Sequence, residues 1–600
     1  MSKFIILGLD GACPGLIEEK RRSGVLPNFQ RLAERGVWAE SVPVPSAVTP
    51  VNWTALATGS LPRTFGISDF MMHEPGTPLD RAFDVFSKEV NNRAEFVWDA
   101  LAARGHKTAT LSFVGGLPQT VPGHLAIGDN GYPEEYSKPY TIAPSRALVT
   151  GDLNPVGPYG WHEHERLTGD EFVIQATTPG YRGAHPVKVS GNTFTVAGKS
   201  YTVGLREWTP WIRLEFERDD AAFQKWQLAP VRGGKAIGEF RLRVTRPGLI
   251  YVTPVYPCDH FASDDALAAR LYAELGPYTD NLPISRLLME WVDEDGWIEE
   301  FRLQAVWQAR AAVKLVNEHG YKAVLTKWHA FDKFYHFFMQ KIDPVALGFD
   351  PAQRDRYERM HDRLLGVADE MVGIVLDGLR ADTTLVVMSD HGLMASRKAV
   401  WVNRWLARNG YIQFTPDGRV DWSRTRAYVA AFLLLKLNLR GREPTGIVSP
   451  GAEADRLKAE IIGKLRDWKD PETGAHVMTE VFDPHADGAR YGLGGPFEAD
   501  IRYFTTPGYT LFRSTDATGD AVLTPIHGPY LGDHGSCRPT THFGRGSEAG
   551  IFYAAGYGIR AAGRVRDVMM HDIMPTLLHN AGELPLRDQE GTVRDDLLLT

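Results

Sequence analysis

The chain has 600 residues, of which 43% are hydrophobic and 23% charged, and it carries a formal net charge of −8. That composition excludes a disordered or fibrous chain, and the length exceeds the ~250–300 residues that one hydrophobic core accommodates. The acidic balance argues against a nucleic-acid polymer as partner, and no apolar run approaches the ~18 residues of a membrane span. Cys13, Cys258 and Cys537 are too scattered for a disulfide framework or a metal knuckle. The first apolar run is shorter than a secretory leader and ends in an acid, so a cytoplasmic protein acting on a small molecule, away from membranes, is expected.

In chain order, residues 4–9 form a continuous apolar run that stops at Asp10-Gly11. Fully buried parallel strands look like this, and open α/β sheets present ligand groups beyond the carboxyl ends of their strands. A helical pattern covers 26–35. Thr49-Pro50 then reads as a helix start, with Thr49 as N-cap and Pro50 at the first helical position. The N–H groups of Val51 and Asn52 would face an anion there. A helix over 97–104 and a strand over 108–113 follow.

From 155 to 257 the rhythm changes to short stretches of period two split by turn residues, which predicts an inserted antiparallel β module. Trp208, Trp211 and Trp226 are expected to fill its core, and His162 and His164 to lie on a solvated segment. Helix 305–318 and strand 323–325 restore the α/β pattern. Asp332 and His336, four apart, would share a helix face and suit a zinc or manganese ion.

Helix 357–379 leads into strand 384–388, which ends at Asp390-His391. Two adjacent ligand-type residues at the end of a buried strand are hard to explain as packing, because burying both requires partners. A second, mixed excursion spans 405–524 and includes a helix over 452–468. The late segment 532–544 offers His534 or His542 to complete a ligand set. His542 is preferred because only a short loop separates it from the next strand, 550–554.

Strand–helix alternation of this kind predicts a doubly wound, mostly parallel α/β sheet with a β insertion and a second mixed insertion. The expected division is 1–150, 261–404 and 525–600 for the α/β core, 151–260 for the β module, and 405–524 for the second insertion.

Asp10-Gly11, Thr49 with Asn52-Trp53-Thr54, Thr58-Gly59, Pro62, Gly66-Ile67 and Ser389-Asp390-His391-Gly392 together resemble the alkaline phosphatase superfamily. The branch they are most similar to is the type I phosphodiesterase/nucleotide pyrophosphatase group. Residues 572–578 resemble the terminal helix of the superfamily. The resemblance implies an alkaline phosphatase-like core and two divalent metal ions about 4 Å apart, zinc first and manganese second. By residue matching, Asp10, Thr49, Asp390 and His391 would hold one ion, and Asp332, His336 and His542 (or His534) the other.

Thr49 would be the nucleophile, with Asn52 and the helix N–H groups holding phosphoryl oxygens. The implied activity is hydrolysis of phosphodiesters or phosphomonoesters through a phospho-threonine. A phosphomutase, a phosphonate hydrolase or an inactive binding protein are the alternatives. The chain departs from the nucleotide pyrophosphatases where it has Ser68-Asp69-Phe70 in place of their asparagine, and Thr64-Phe65 in place of a histidine. No arginine lies close after Thr49, which argues against sulfatase chemistry.

Overall fold

The computed structural model describes residues 2–85, 94–116, 121–128, 141–151, 153, 163–219, 234–279, 283–511, 516–526 and 531–599. Trp226 and His162 lie outside them. The elements that position the site are, in chain order, β1 (Lys3–Leu9), β2 (Gly36–Val42), α1 (Thr49–Thr58), β3 (Lys107–Leu111) and β4 (His124–Ile127), then α2 (Glu294–Asn317), β5 (Tyr321–Trp328), α3 (Ala330–Ile342), α4 (Pro351–Gly378), β6 (Thr383–Met388) and β7 (Gly550–Gly556).

Among the described residues nine strands make the central sheet, in the order β2-β7-β6-β1-β5-β3-β4, with the short strands Gly563–Arg564 and Val568–Met569 pairing β2. β1 pairs β5 and β6 in parallel, β3 continues the parallel run to β4, and β7 lies antiparallel between β6 and β2. The apolar runs alternate between two packed faces. Ile5, Leu7, Leu9, Val324, Leu385 and Val387 join the core built with α2 and α4, while Phe4, Ile6, Leu325, Val386 and Met388 join the core that includes α1. Burial on both faces explains why these strands read as continuous apolar runs.

Among the described residues three further four-stranded sheets lie between Arg146 and Pro257; strands such as Glu171–Gln175 and Ile212–Arg218 alternate buried and exposed residues, whereas Leu242–Arg246 and Leu249–Val252 are buried almost throughout. Arg241 sits 4.3 Å from the Trp208 ring and 4.8 Å from that of Trp211; both tryptophans are partly buried, and Trp208 Nε1 donates to Glu299 on α2 at 3.0 Å, so they lie at the border with the α/β core instead of filling the core of a β module. Within 405–524 a separate apolar cluster gathers Leu406, Leu435, Ile461, Val481 and Tyr503 around the helix Ala452–Asp467. Among the described residues no helix is long and apolar enough to cross a membrane.

Candidate metal centre

The two central strands end side by side, so Asp10 after β1 and Asp390 after β6 meet at the carboxyl edge of the sheet. Asp332 enters from the first turn of α3, and its N–H donates to Asp10 O at 3.0 Å. Gly11 makes this approach possible: it has φ +76°, and a Cβ there would lie 2.8 Å from Asp332 Cα. Gly11→Ala is therefore expected to cost about 1–3 kcal/mol through strain and overpacking, measured as a lower thermal midpoint, and to weaken metal uptake by moving Asp332.

Thr49 Oγ1 lies 3.2 Å from His391 Nε2, which in turn is 3.1 Å from Asp390 Oδ2 and 3.8 Å from Asp10 Oδ1. His336 Nε2 is 3.1 Å and His534 Nε2 3.5 Å from Asp332 Oδ1. The His391 and His534 rings stack at 3.7 Å, joining the two clusters. Ligand-type atoms of Asp332, His391 and His534 lie within 4.8 Å of one another, as do those of Asp10, Asp390 and His391. All of these groups are buried.

The site thus unites Asp10, Thr49, Asp332, His336, Asp390 and His391, but the last histidine is His534 and not His542. His542 is half-exposed on a hairpin, 3.1 Å from Glu40 Oε2. The reason lies in strand pairing: Gly532–Asp533 pairs antiparallel with Met394–Ala395, just beyond His391, and so delivers His534 to the cluster.

Two further expectations are corrected. The extended residue before α1 is Val48, whose carbonyl accepts from Asn52 N–H at 3.1 Å, so Thr49 is the first helical residue and does not cap the helix. Its hydroxyl is directed instead to His391. The Asn52 amide, expected on a phosphoryl oxygen, is engaged by backbone groups. Its Nδ2 donates to the carbonyls of Val44, Ser46 and Val48 and its Oδ1 accepts from Val44 N–H, so the amide staples the turn that leads into Thr49, and its own N–H belongs to the helix.

The donor set fits cations. Nδ1 of His391, His336 and His534 lies 2.8, 2.8 and 2.7 Å from the carbonyls of Gly392, Gly532 and Ala47. These contacts assign the proton to Nδ1 and turn each Nε2 lone pair toward the carboxylates. Asp10 Oδ1, Asp332 Oδ1 and Asp390 Oδ2 are buried and accept no hydrogen bond of good geometry. Lone pairs facing lone pairs in a dry site need a positive charge between them.

In the metal-free molecule a proton on His391 supplies part of that positive charge. Burial opposes charge on Asp332, yet His336 and His329 hold it well below the usual carboxylate range. Asp390 is raised by burial and by Asp10. Burial lowers His391, but Asp390 and Asp10 outweigh it and push the ring up to about 10, whereas burial together with His391 and His336 drives His534 far down.

Three neighbours carry no role in the sequence reading. Lys327 on β5 is buried, with Nζ 2.7 Å from Asp10 Oδ2, an oxygen that also accepts from Trp53 Nε1 at 3.3 Å. His329 Nε2 is 2.8 Å from Asp332 Oδ2. Glu548 lies buried behind the His534 loop. A lysine near the end of a strand whose centre is apolar (Ala323-Val324-Leu325) was the available signal for the first of them. Elsewhere, Glu358, His361 and Asp362 have metal-like composition, but Lys20 Nζ lies 2.6 Å from Asp362 and Arg545 pairs with Glu358, so protein cations already occupy that cluster.

The buried aspartates and histidines at the strand edge offer the oxygen and nitrogen donors that divalent cations take. A model of the type I phosphodiesterase/nucleotide pyrophosphatase family matches residues 4–179 and 277–488, and the chain belongs to that family. A search of curated protein sequences gives no match.

Among solved structures, an inactive form of murine ectonucleotide pyrophosphatase/phosphodiesterase 5 in complex with AMP aligns over 100% of both chains at 11% identity and a TM-score of 0.47. Human ectonucleotide pyrophosphatase/phosphodiesterase 5 aligns over 100% of both chains at 10% identity and a TM-score of 0.46. Phosphonoacetate hydrolase from Sinorhizobium meliloti 1021, in complex with phosphonoformate, aligns over 97% of this chain and 95% of its own at 14% identity and a TM-score of 0.47.

Proposed function

We propose that the chain is a dimetal-dependent hydrolase of small phosphate esters that works through a phospho-threonine on Thr49. One observation carries this reading: three imidazole Nε2 atoms, three carboxylate oxygens without hydrogen-bond donors and one threonine hydroxyl converge in a buried site at the sheet edge. Asp10, Thr49, Asp390 and His391 would hold one ion, and Asp332, His336 and His534 the other. Two divalent cations, zinc or manganese, would supply the charge that lowers the pKa of the Thr49 hydroxyl and stabilises the phosphoryl and leaving oxygens.

Thr49 Oγ forms the bond to phosphorus while the ester oxygen departs from the opposite side, and water then hydrolyses the phospho-threonine from the vacated face. The Nδ1–H groups keep donating to the carbonyls of Gly392, Gly532 and Ala47, holding all three rings oriented through both steps. Asn52 serves by fixing the backbone before Thr49. The division of the chain at 151, 261, 405 and 525, with a β module and a second insertion flanking the core, belongs to the same proposal, as does a cytoplasmic setting.

Elemental analysis, combined with hydrolysis of p-nitrophenyl phosphate and bis(p-nitrophenyl) phosphate, tests the reading. About two zinc or manganese ions per chain and a turnover lost to chelator and restored by either metal are expected. A chain with no bound metal, or turnover indifferent to exhaustive chelation, ends it.

A further inference from the structure

Each histidine that links the two clusters sits on a loop with little regular structure of its own. His391 follows β6, and His534 follows the two-residue strand Gly532–Asp533. One residue reaches both loops. The Glu548 carboxylate is fully buried: its Oε2 accepts from Gly535 N–H at 2.7 Å and its Oε1 from Cys537 N–H at 2.9 Å. Its backbone carbonyl accepts from Gly392 N–H at 3.0 Å, and its own N–H donates to Thr541 O at 2.8 Å.

The backbone just beyond His534 and the backbone just beyond His391 are therefore anchored on the same residue, two positions before β7. Thr505 Oγ1 also donates to Ser536 O at 3.2 Å, but Glu548 takes two backbone N–H groups of the His534 loop with its side chain and the His391 loop with its carbonyl. Before His534 the loop is held by the pairing of Gly532–Asp533 with Met394–Ala395, and His534 Nδ1 meets Ala47 O at 2.7 Å.

We propose that Glu548 is a positioning residue of the metal centre, whose carboxylate holds the His534 loop so that His534 completes the ligand set with Asp332 and His336. This rests on the dimetal reading above. A carboxylate is suited to the task because both of its oxygens face N–H donors. A glutamine keeps one acceptor but turns its NH2 toward the other backbone N–H, two donors facing each other in a dry site. The backbone carbonyl contact to Gly392 survives substitution of the side chain, so the loop of Asp390 and His391 keeps its anchor.

The consequence is asymmetric. Glu548→Gln should weaken the cation of Asp332, His336 and His534 by about 10–100-fold, the scale on which supporting residues tune metal affinity, and leave the cation of Asp10, Asp390 and His391 as it was.

The test is zinc stoichiometry and competition with a chelator for the wild-type holoprotein, Glu548→Gln and His534→Ala, with the visible spectrum of the cobalt-substituted forms as second readout. Wild type is expected to hold two ions. Glu548→Gln is expected to hold one tightly and one weakly, matching His534→Ala in which ion is lost, and to recover turnover in excess zinc. Equal affinity of both ions in wild type and Glu548→Gln, or equal weakening of both, overturns the proposal while the hydrolase reading stands. A wild-type chain without metal overturns both.

Hydrogen exchange of the wild-type holoprotein checks the clamp without a variant. The amides of Gly535 and Cys537 should be strongly protected, and rapid exchange at both would end the idea.

Discussion

Thr49→Ala is expected to lower phosphate-ester turnover by roughly 10⁴-fold or more, the scale on which removal of a covalent nucleophile acts, while metal content stays near that of the wild type. The expectation follows from the position of Thr49. Its hydroxyl does not cap α1, since Val48 stands at that position, and its one side-chain hydrogen-bond partner among the described residues is His391 Nε2 at 3.2 Å. Loss of the hydroxyl therefore escapes the ~0.5–2 kcal/mol that deletion of an N-cap costs, and the helix start keeps its Asn52 staple. Six other side chains remain to hold the ions, so the variant should separate chemistry from assembly. Thr49→Ser keeps the oxygen and is expected to retain measurable turnover, with a phosphoserine trapped in place of phospho-threonine on rapid acid quench. Wild-type turnover in Thr49→Ala would remove the nucleophile from the mechanism, and parallel loss of metal and activity would make Thr49 a ligand only.

Much of this centre was legible in the sequence because buried parallel strands carry few polar residues. A run such as 4–9 or 384–388 that ends abruptly in Asp10 or Asp390-His391 announces both a strand and its functional edge. Asp332 and His336 were legible through helical spacing alone. Contacts between segments distant in the chain were not. The choice between His534 and His542 depends on a two-residue strand pairing with Met394–Ala395, more than 130 positions earlier, and local loop length favoured the wrong one. Asn52 looked free to bind an oxygen because its partners are carbonyls of the irregular turn 44–48, whose path no periodicity describes. Glu548 carries no motif at all, since its partners are backbone N–H groups, which any residue except proline provides.

Lys327 is another residue that spacing could not assign, and removing it should have a large effect on the metal-free protein. Lys327 and Asp10 are both fully buried, and the ammonium lies 2.7 Å from Oδ2. Breaking such a pair by deleting one partner costs about 3–5 kcal/mol, because the remaining charge is left in a dry site. Lys327→Met is therefore expected to lower the unfolding midpoint of the metal-stripped chain markedly.

The sign of the pH dependence should change as well. Burial works against the Asp10 carboxylate, but Lys327, with His329 and His391, holds it below the usual range, so in wild type this stabilisation is present at neutral pH and fades as pH falls through the lowered folded value. Without the ammonium, burial raises Asp10, the folded state then binds the proton more readily than the unfolded one, and the deficit of Lys327→Met should shrink as pH falls. Combining Lys327→Met with Asp10→Asn removes the stranded charge and should recover most of the loss. Denaturant unfolding of the four chains of this double-mutant cycle at pH 5 and pH 8 decides the matter. A Lys327→Met midpoint equal to that of the wild type at pH 8, or a double variant no more stable than the single one, would show that the lysine does not hold Asp10 charged.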